Sequence, residues 1–214
     1  MIDSPEAALQ ALKDGNDRFL HALSNNTDLL ARVSETAAVQ HPFALVLTCA
    51  DSRMAPELIF DQGIGDIFTV RIAGNLVTTE ILGTMEFATQ LVGAKLIVVL
   101  GHTNCGALKG AVDGIELGNL TATLDHLRPA VDAVPSSYGE PTSANPHFLQ
   151  KAAELNVIMA EDQIRRQSPV IAKLVVEGRV AVRGAMYHME TGAVTFLTEG
   201  AQETVDTIGA RAYD

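Results

Sequence analysis

Basic residues are scarce in this chain: Lys and Arg number 15 against 26 Asp and Glu, a net charge of −11. No basic stripe is present to neutralise phosphates, which argues against a nucleic-acid partner. Cysteine is scarce too, with two in 214 residues. Two cannot make a disulfide framework, and both fit better as thiolate ligands in a reducing compartment. No stretch approaches about 18 apolar residues without a charge, so no membrane span is expected. The N-terminus lacks a basic segment followed by an apolar run, so no signal peptide is visible. The expected location is the cytoplasm, with a leader trimmed before Met1 left open. Internal repeats, linkers and low-complexity tracts are also missing, so residues 1–214 read as one domain with a full core. The mean hydropathy of +0.17 is high for a small soluble monomer. That surplus is expected in a buried subunit interface.

What is there centres on two segments. Cys49-Ala50-Asp51-Ser52-Arg53 follows the apolar run Phe43–Thr48, and His102-Thr103-Asn104-Cys105 follows Leu96–Leu100. Short apolar runs closed by Gly or polar residues suit parallel strands buried on both faces. In an open α/β sheet, ligands sit beyond the carboxyl ends of the strands. If the two strands are neighbours, Cys49, His102 and Cys105 meet at one edge of the sheet. Two thiolates and one imidazole make a zinc site with a fourth position left over, a catalytic rather than a structural ligand count. The plain alternative is two buried core cysteines and an unrelated histidine. A redox pair is disfavoured because C-x-x-C is missing.

The rest of the chain alternates strand and helix, which implies right-handed crossovers and a mostly parallel central sheet flanked by helices. Ser4-Pro5-Glu6 opens an N-terminal helical arm, since Ser caps, Pro suits the first turn and Glu favours the positive end. Gly15-Asn16 is expected to break it. Such an arm packs either on a partner subunit or on its own sheet. A short helix is expected from Asp28 to Ala38 and another from Pro56 to Phe60. Strand Ile67–Ile72 leads to Ala73-Gly74-Asn75, then a helix Thr79–Val92 stopped by Gly93. One amphipathic piece is expected around Ala122–Val134, a long helix from Pro146 to about Gln167, and another after Ser168-Pro169. Val180–Tyr187 and Val194–Leu197 flank Glu190-Thr191-Gly192 and read as a C-terminal edge hairpin. The tail from Ala201 reads as a weak helix.

Asp51 and Arg53, two apart in one loop, face a choice. The carboxylate either ligates the metal or pairs with the guanidinium, whose fork matches it bidentately. Arg53 holding Asp51 leaves the fourth position to water. Zinc lowers that water's pKa to about 7, and the hydroxide formed can attack an electrophilic carbon. A surface ion pair of little worth is the alternative.

Cys49-Ala-Asp-Ser-Arg53, Pro56-Glu-Leu-Ile-Phe-Asp61, Val70-Arg-Ile-Ala-Gly-Asn75 and Gly101-His-Thr-Asn-Cys-Gly106 together resemble the β-class carbonic anhydrases. The resemblance implies a zinc lyase for reversible hydration of carbon dioxide to bicarbonate and a proton, with one Zn²⁺ per chain. It implies Cys49, His102 and Cys105 as ligands, and Asp51 as fourth ligand in a closed form and partner of Arg53 in the active form. It places Gln40, Phe68, Ala73, Phe87 and Gly106 at substrate-pocket positions, Gln40 contributed across a dimer interface. Phe87 stands where many members carry tyrosine. It also implies a homodimer or a dimer-based tetramer, with the arm crossing the interface. Some members close the site with bicarbonate in a side pocket using a tryptophan three residues before the first cysteine. Here that residue is Val46, although Arg71 of that pocket is present, so no bicarbonate-driven closure is expected. Hydrolysis of carbonyl sulfide or carbon disulfide, and a zinc-bearing structural or bicarbonate-sensing module without turnover, are the competing readings. The presence of both Asp51 and Arg53 argues against the module. The histidines besides His102 are scattered and single out no proton shuttle.

Overall fold

The computed structural model describes residues 2–25 and 28–197. Its centre is a sheet of β1 (Ala44–Thr48), β2 (Ile67–Arg71), β3 (Leu96–His102), β4 (Ala181–Tyr187) and β5 (Val194–Phe196), in the order β2-β1-β3-β4-β5. The first four strands run parallel, and β5 returns antiparallel beside β4 as the expected edge hairpin. β1 and β3 are buried at every position. A parallel sheet covered on both faces has no solvent side, which is why these two strands read as unbroken apolar runs. Each fully buried Leu, Val or Ile contributes about 1.5–3 kcal/mol relative to exposure. Leu45–Leu47 and Leu96–Leu100 therefore decide which strands take the middle. β2, half-buried and ending in exposed Arg71, forms an edge.

Helix α1 (Pro5–Leu20) starts where expected, with Ser4 Oγ accepting from Ala7 N and Pro5 in the first turn. It does not break at Gly15-Asn16. Gly15 lies where the helix passes Phe60, and a Cβ there would stand 1.7 Å from the Phe60 carbonyl oxygen. Buried Asn16 donates through Nδ2 to the Ile59 and Gly192 carbonyls, both at 3.0 Å, and accepts from Val194 N at 2.9 Å. Residues that looked like turn chemistry thus tie the arm to α3 (Pro56–Ile59) and to the C-terminal hairpin. Ala8 and Leu12 are fully buried within the chain, so the arm's inner face is covered by its own fold.

Helix α2 (Leu29–Thr36) is short and carries no buried residue. α4 (Thr79–Glu86) runs on as a π-helical turn, Phe87–Val92, and stops at left-handed Gly93. α5 (Gly106–Val112) begins directly after Cys105. The expected single piece from Ala122 to Val134 is two helices, α6 (Gly118–Asp125) and α7 (Arg128–Asp132). Pro129, lacking an N–H, is tolerated only in a first turn, so a new helix must start there. α8 (Pro146–Gln167) is capped by Asn145 Oδ1, which accepts from His147 N and Phe148 N, and it lies along β3 and β4. Ser168 caps α9 (Pro169–Val176) and donates to Glu86 Oε1 at 2.6 Å. The expected helix from Ala201 lies outside the described residues. Among the described residues, no helix is long and apolar enough to cross a membrane.

Candidate metal centre

β1 and β3 are neighbours, with Thr48 opposite Leu100. The chain leaves β1 into Cys49, while β3 continues to His102 and turns back through Asn104 to Cys105 at the head of α5. The Sγ atoms of Cys49 and Cys105 and a ring nitrogen of His102 all lie within 4.8 Å of one another. All three residues are at most 4% exposed. The sulfurs stand 3.9 Å apart, too far for a disulfide of about 2.05 Å. His102 Nδ1 lies 2.9 Å from the Thr103 carbonyl. A carbonyl can only accept, so Nδ1 carries the hydrogen and Nε2 keeps its lone pair. That Nε2 is buried without a hydrogen-bond partner.

This arrangement is unsatisfied by protein groups alone. The Cys49 thiol is lowered to about 4, first by the hydrogen bond from Cys105, with help from the Gly74 and Asp51 backbone, against the opposing effect of burial. The Cys105 thiol is pushed up by that same contact and by burial. Two thiols this close cannot both ionise in a buried site without a cation between them. Cys49, Cys105 and His102 Nε2 would hold a divalent ion, whose charge would take the place of both thiol protons. Two sulfurs and one nitrogen suit Zn²⁺, with one coordination position left open.

The loop after Cys49 is held from two sides. Arg53 grips the Asp51 carboxylate with Nε on Oδ1 at 2.9 Å and Nη2 on Oδ2 at 2.8 Å, and its backbone N–H adds 3.0 Å to Oδ1. The Arg53 guanidinium, through these hydrogen bonds, holds the Asp51 carboxyl well below the usual carboxylate range. Arg71, at the end of β2, donates Nε to the Cys49 carbonyl at 3.4 Å. Its Nη2 reaches the Ala50 carbonyl at 3.4 Å and the Asp51 carbonyl at 2.6 Å. Gly74 N–H points at Cys49 Sγ at 3.4 Å.

A family model described as "Carbonic anhydrase" matches residues 44–194. The carbonic anhydrase of Mycolicibacterium smegmatis is 37% identical over 195 residues, covering 89% of this chain and 92% of that protein. Carbonic anhydrase 2 of Mycobacterium tuberculosis is 34% identical over 88% of this chain and 91% of its own length. Among solved structures, the b-carbonic anhydrase CafA of Aspergillus fumigatus superposes with a TM-score of 0.72 at 26% identity, covering 90% of this chain and 99% of that one. A tetrameric beta-carbonic anhydrase of Sordaria macrospora gives 0.66 at 26% identity, with 85% and 97% covered. This chain belongs to the β-carbonic anhydrase family. As a β-carbonic anhydrase it is a zinc lyase, and its reaction is the reversible hydration of carbon dioxide to bicarbonate and a proton.

The expected pocket residues of this β-carbonic anhydrase fall in several places. Phe68 on β2 and Phe87 at the π-helical turn meet edge to face, with ring centroids 6.1 Å apart. Phe87 keeps 45% of its surface exposed. Ala73 opens the turn whose next residue supplies the N–H on Cys49. Gly106 is the first residue of α5 and exposed, and a Cβ there would meet nothing within 4 Å. Gln40 is exposed between α2 and β1. Val46 is fully buried in β1. Sequence reasoning gave Gly74 and Asn156 no role, yet both are tied to Cys49. Gly74 N–H lies on its sulfur, and Asn156 Nδ2 donates to the Gly74 carbonyl at 2.9 Å. The one available signal was a lone amide between Leu155 and Val157 in an otherwise apolar stretch of α8.

Proposed function

We propose that Asp51 and Arg53 are the working pair of this carbonic anhydrase, and that Gln40, Phe68, Ala73, Phe87 and Gly106 shape the carbon dioxide pocket. Zinc, when bound, supplies a Lewis acid that makes a coordinated water acidic near about pH 7. Arg53 occupies both oxygens of Asp51 and so keeps this carboxylate off the metal. The same grip keeps Asp51 ionised, hence a pure acceptor. Its remaining lone pairs accept a hydrogen from a water or a bicarbonate OH and reject a bare anion, which orients the reacting oxygen. Phe68, Phe87 and Ala73 supply apolar walls suited to a neutral, weakly hydrogen-bonding substrate. The Gly106 N–H is one of the unsatisfied donors of a helix start and can face a substrate oxygen. The observation that carries this reading is the bidentate pairing of Asp51 with Arg53 beside the Cys49–His102–Cys105 cluster.

The reading extends to assembly and location. A homodimer, or a tetramer made of dimers, is supported by apolar surface left uncovered: Leu23, Leu30, Val33 and Leu58 are 50–83% exposed. A groove of about 610 Å³ between α1, α2 and α3 adds Phe19 and Ile64 to that surface. The Sordaria relative, described as tetrameric, is a precedent. Val39, beside exposed Gln40, is itself 55% exposed, which is compatible with a place for both in such an interface. Two unoxidised thiols as metal ligands favour a reducing, cytoplasmic setting. The discriminating experiment is stopped-flow carbon dioxide hydration beside a sulfide-release assay with carbonyl sulfide and carbon disulfide. Hydration without sulfide release is expected. Sulfide release without hydration would move the chain to the hydrolases, and neither activity in zinc-loaded protein would leave a non-catalytic module.

A further inference from the structure

Asn156 sits within α8, buried, between buried Leu155 and Val157. An amide there costs helix propensity relative to Leu or Ala and must satisfy its polar atoms in the interior. Its Nδ2 donates to the Gly74 carbonyl at 2.9 Å. The other end of Gly74 donates its N–H to Cys49 Sγ at 3.4 Å. Gly74 is left-handed, at φ 71° and ψ 17°, with Leu127 where a Cβ would project. Glycine has the widest torsional freedom of any residue, so the direction of its N–H must be fixed from outside. The turn's own bond, Asn75 N–H to the Ile72 carbonyl at 2.9 Å, holds one edge of the peptide plane that carries the Gly74 carbonyl, and Asn156 holds the other. Asn156 supplies an anchor from a helix 82 residues away in sequence.

We propose that Asn156 is a positioning residue for the metal centre: by holding the Gly74 carbonyl it aims the Gly74 N–H at the Cys49 thiolate and sets how firmly that thiolate binds zinc. The physical link is charge. An N–H donated to a thiolate ligand is a charge-assisted hydrogen bond that holds the sulfur in the orientation a metal needs. Without Asn156 the Gly74 carbonyl is left buried and underpaired, and the Gly74–Asn75 peptide that carries it can shift, changing the Gly74 torsions that orient the preceding Ala73–Gly74 peptide and its N–H. The N–H then leaves the sulfur, which must be desolvated without its donor.

The inference rests on the zinc reading, and the experiment separates the two. Unaltered protein is loaded with zinc, and its affinity is measured by chelator competition. Failure of the unaltered protein to bind zinc would refute the zinc reading itself. In Asn156→Ala, which keeps helix propensity, the zinc dissociation constant should rise by about 10–100-fold, the range for loss of an outer-shell partner. The sulfur-to-metal charge-transfer band of the cobalt-loaded variant should shift, because the Cys49 sulfur loses its hydrogen bond. A residue with only a packing role would lower the melting temperature of the metal-free protein and leave affinity and band where they were. That result would overturn the proposal. If Asn156→Ala does not fold, Asn156→Ser takes its place, since its hydroxyl is too short to reach the Gly74 carbonyl and its side chain leaves a smaller gap. Weaker zinc binding and a shifted cobalt band in that variant support the proposal, and both unchanged overturn it.

Discussion

Replacing Arg53 by Ala tests the centre of the reading. The substitution keeps the Arg53 backbone N–H on Asp51 Oδ1 and removes the two side-chain hydrogen bonds, at 2.9 and 2.8 Å. A hydrogen bond to a charged group is worth about 1.5–3 kcal/mol when well shielded. The Arg53 side chain is 50% exposed, and solvent screening reduces exposed ion pairs, so about 1.5 kcal/mol for both bonds together is a fair figure. That is enough to shift the balance of Asp51 between guanidinium and metal by about tenfold. Turnover should therefore fall to about a tenth or less, with zinc content unchanged because no ligand is lost. Without the guanidinium, the carboxyl rises back toward the ordinary value of about 3.9. It stays ionised at neutral pH, so the loss should persist across pH 6–9 (a range of about three units). Arg53→Lys keeps the charge but not the fork and should fall in between. Stopped-flow hydration with parallel metal analysis reads the outcome. Near-normal turnover in Arg53→Ala, or loss of zinc along with activity, would refute the assignment of Arg53 as the group that holds Asp51 off the metal.

Further outcomes follow from other parts of the chain. Cys49→Ser should bind far less zinc than the parent, by metal analysis after dialysis, and undiminished zinc would remove Cys49 from the ligand set. Gly15→Ala places a Cβ 1.7 Å from the Phe60 carbonyl oxygen. The overpacking cost of about 3 kcal/mol outweighs the roughly 1 kcal/mol of helix propensity gained. Melting should drop by about 4–8 °C for a chain of this size, and an unchanged or higher melting point would show that the arm does not pass Phe60 so closely. Leu30→Glu alters a residue 83% exposed within the chain, so the subunit fold should survive while light scattering reports a smaller assembly; an unchanged mass would take α2 out of the interface. Burial pushes the Glu161 carboxyl up, against the pull of Arg165 and Arg183. A folded-state value above the unfolded one means its contribution is full below the ordinary glutamate range and declines as pH rises through the raised value. Glu161→Gln lacks that decline, so the difference in melting temperature between variant and parent should grow in the variant's favour from acid to neutral pH, and a constant difference would disprove it.

What could be read in the sequence was what depends on near neighbours. β1 and β3 announced themselves because both faces of a central parallel strand are apolar, leaving no alternation to misread. Their polar followers, Cys49 and His102, then had to lie at the same sheet edge. Ser4 and Ser168 were legible at helix starts because a cap acts within three residues. Gly15 and Asn16 misled because what they meet, Phe60, Ile59, Gly192 and Val194, lies far along the chain, 43–178 residues away for the hydrogen bonds of Asn16. In a helix-forming sequence, Gly-Asn looks the same whether it ends the helix or lets another backbone come close. Asn156 and the grip of Arg71 on three carbonyls were hidden for the same reason. The division of 122–134 into two helices was readable from Pro129 and was missed because the apolar period carried across it.

Arg71 fastens the carbonyls of Cys49, Ala50 and Asp51, and the Ala50 and Met54 N–H groups are bonded to the Ile72 and Asp51 carbonyls. The backbone of the loop is therefore pinned on both sides of the Asp51 carboxylate. What remains free is one side chain with two torsions. Movement of that side chain is a rotamer change rather than the displacement of a loop. In the exchange proposed above, Asp51 can pass from Arg53 to the metal without the loop backbone moving, so the pinned loop keeps Cys49 in place whichever partner the carboxylate takes.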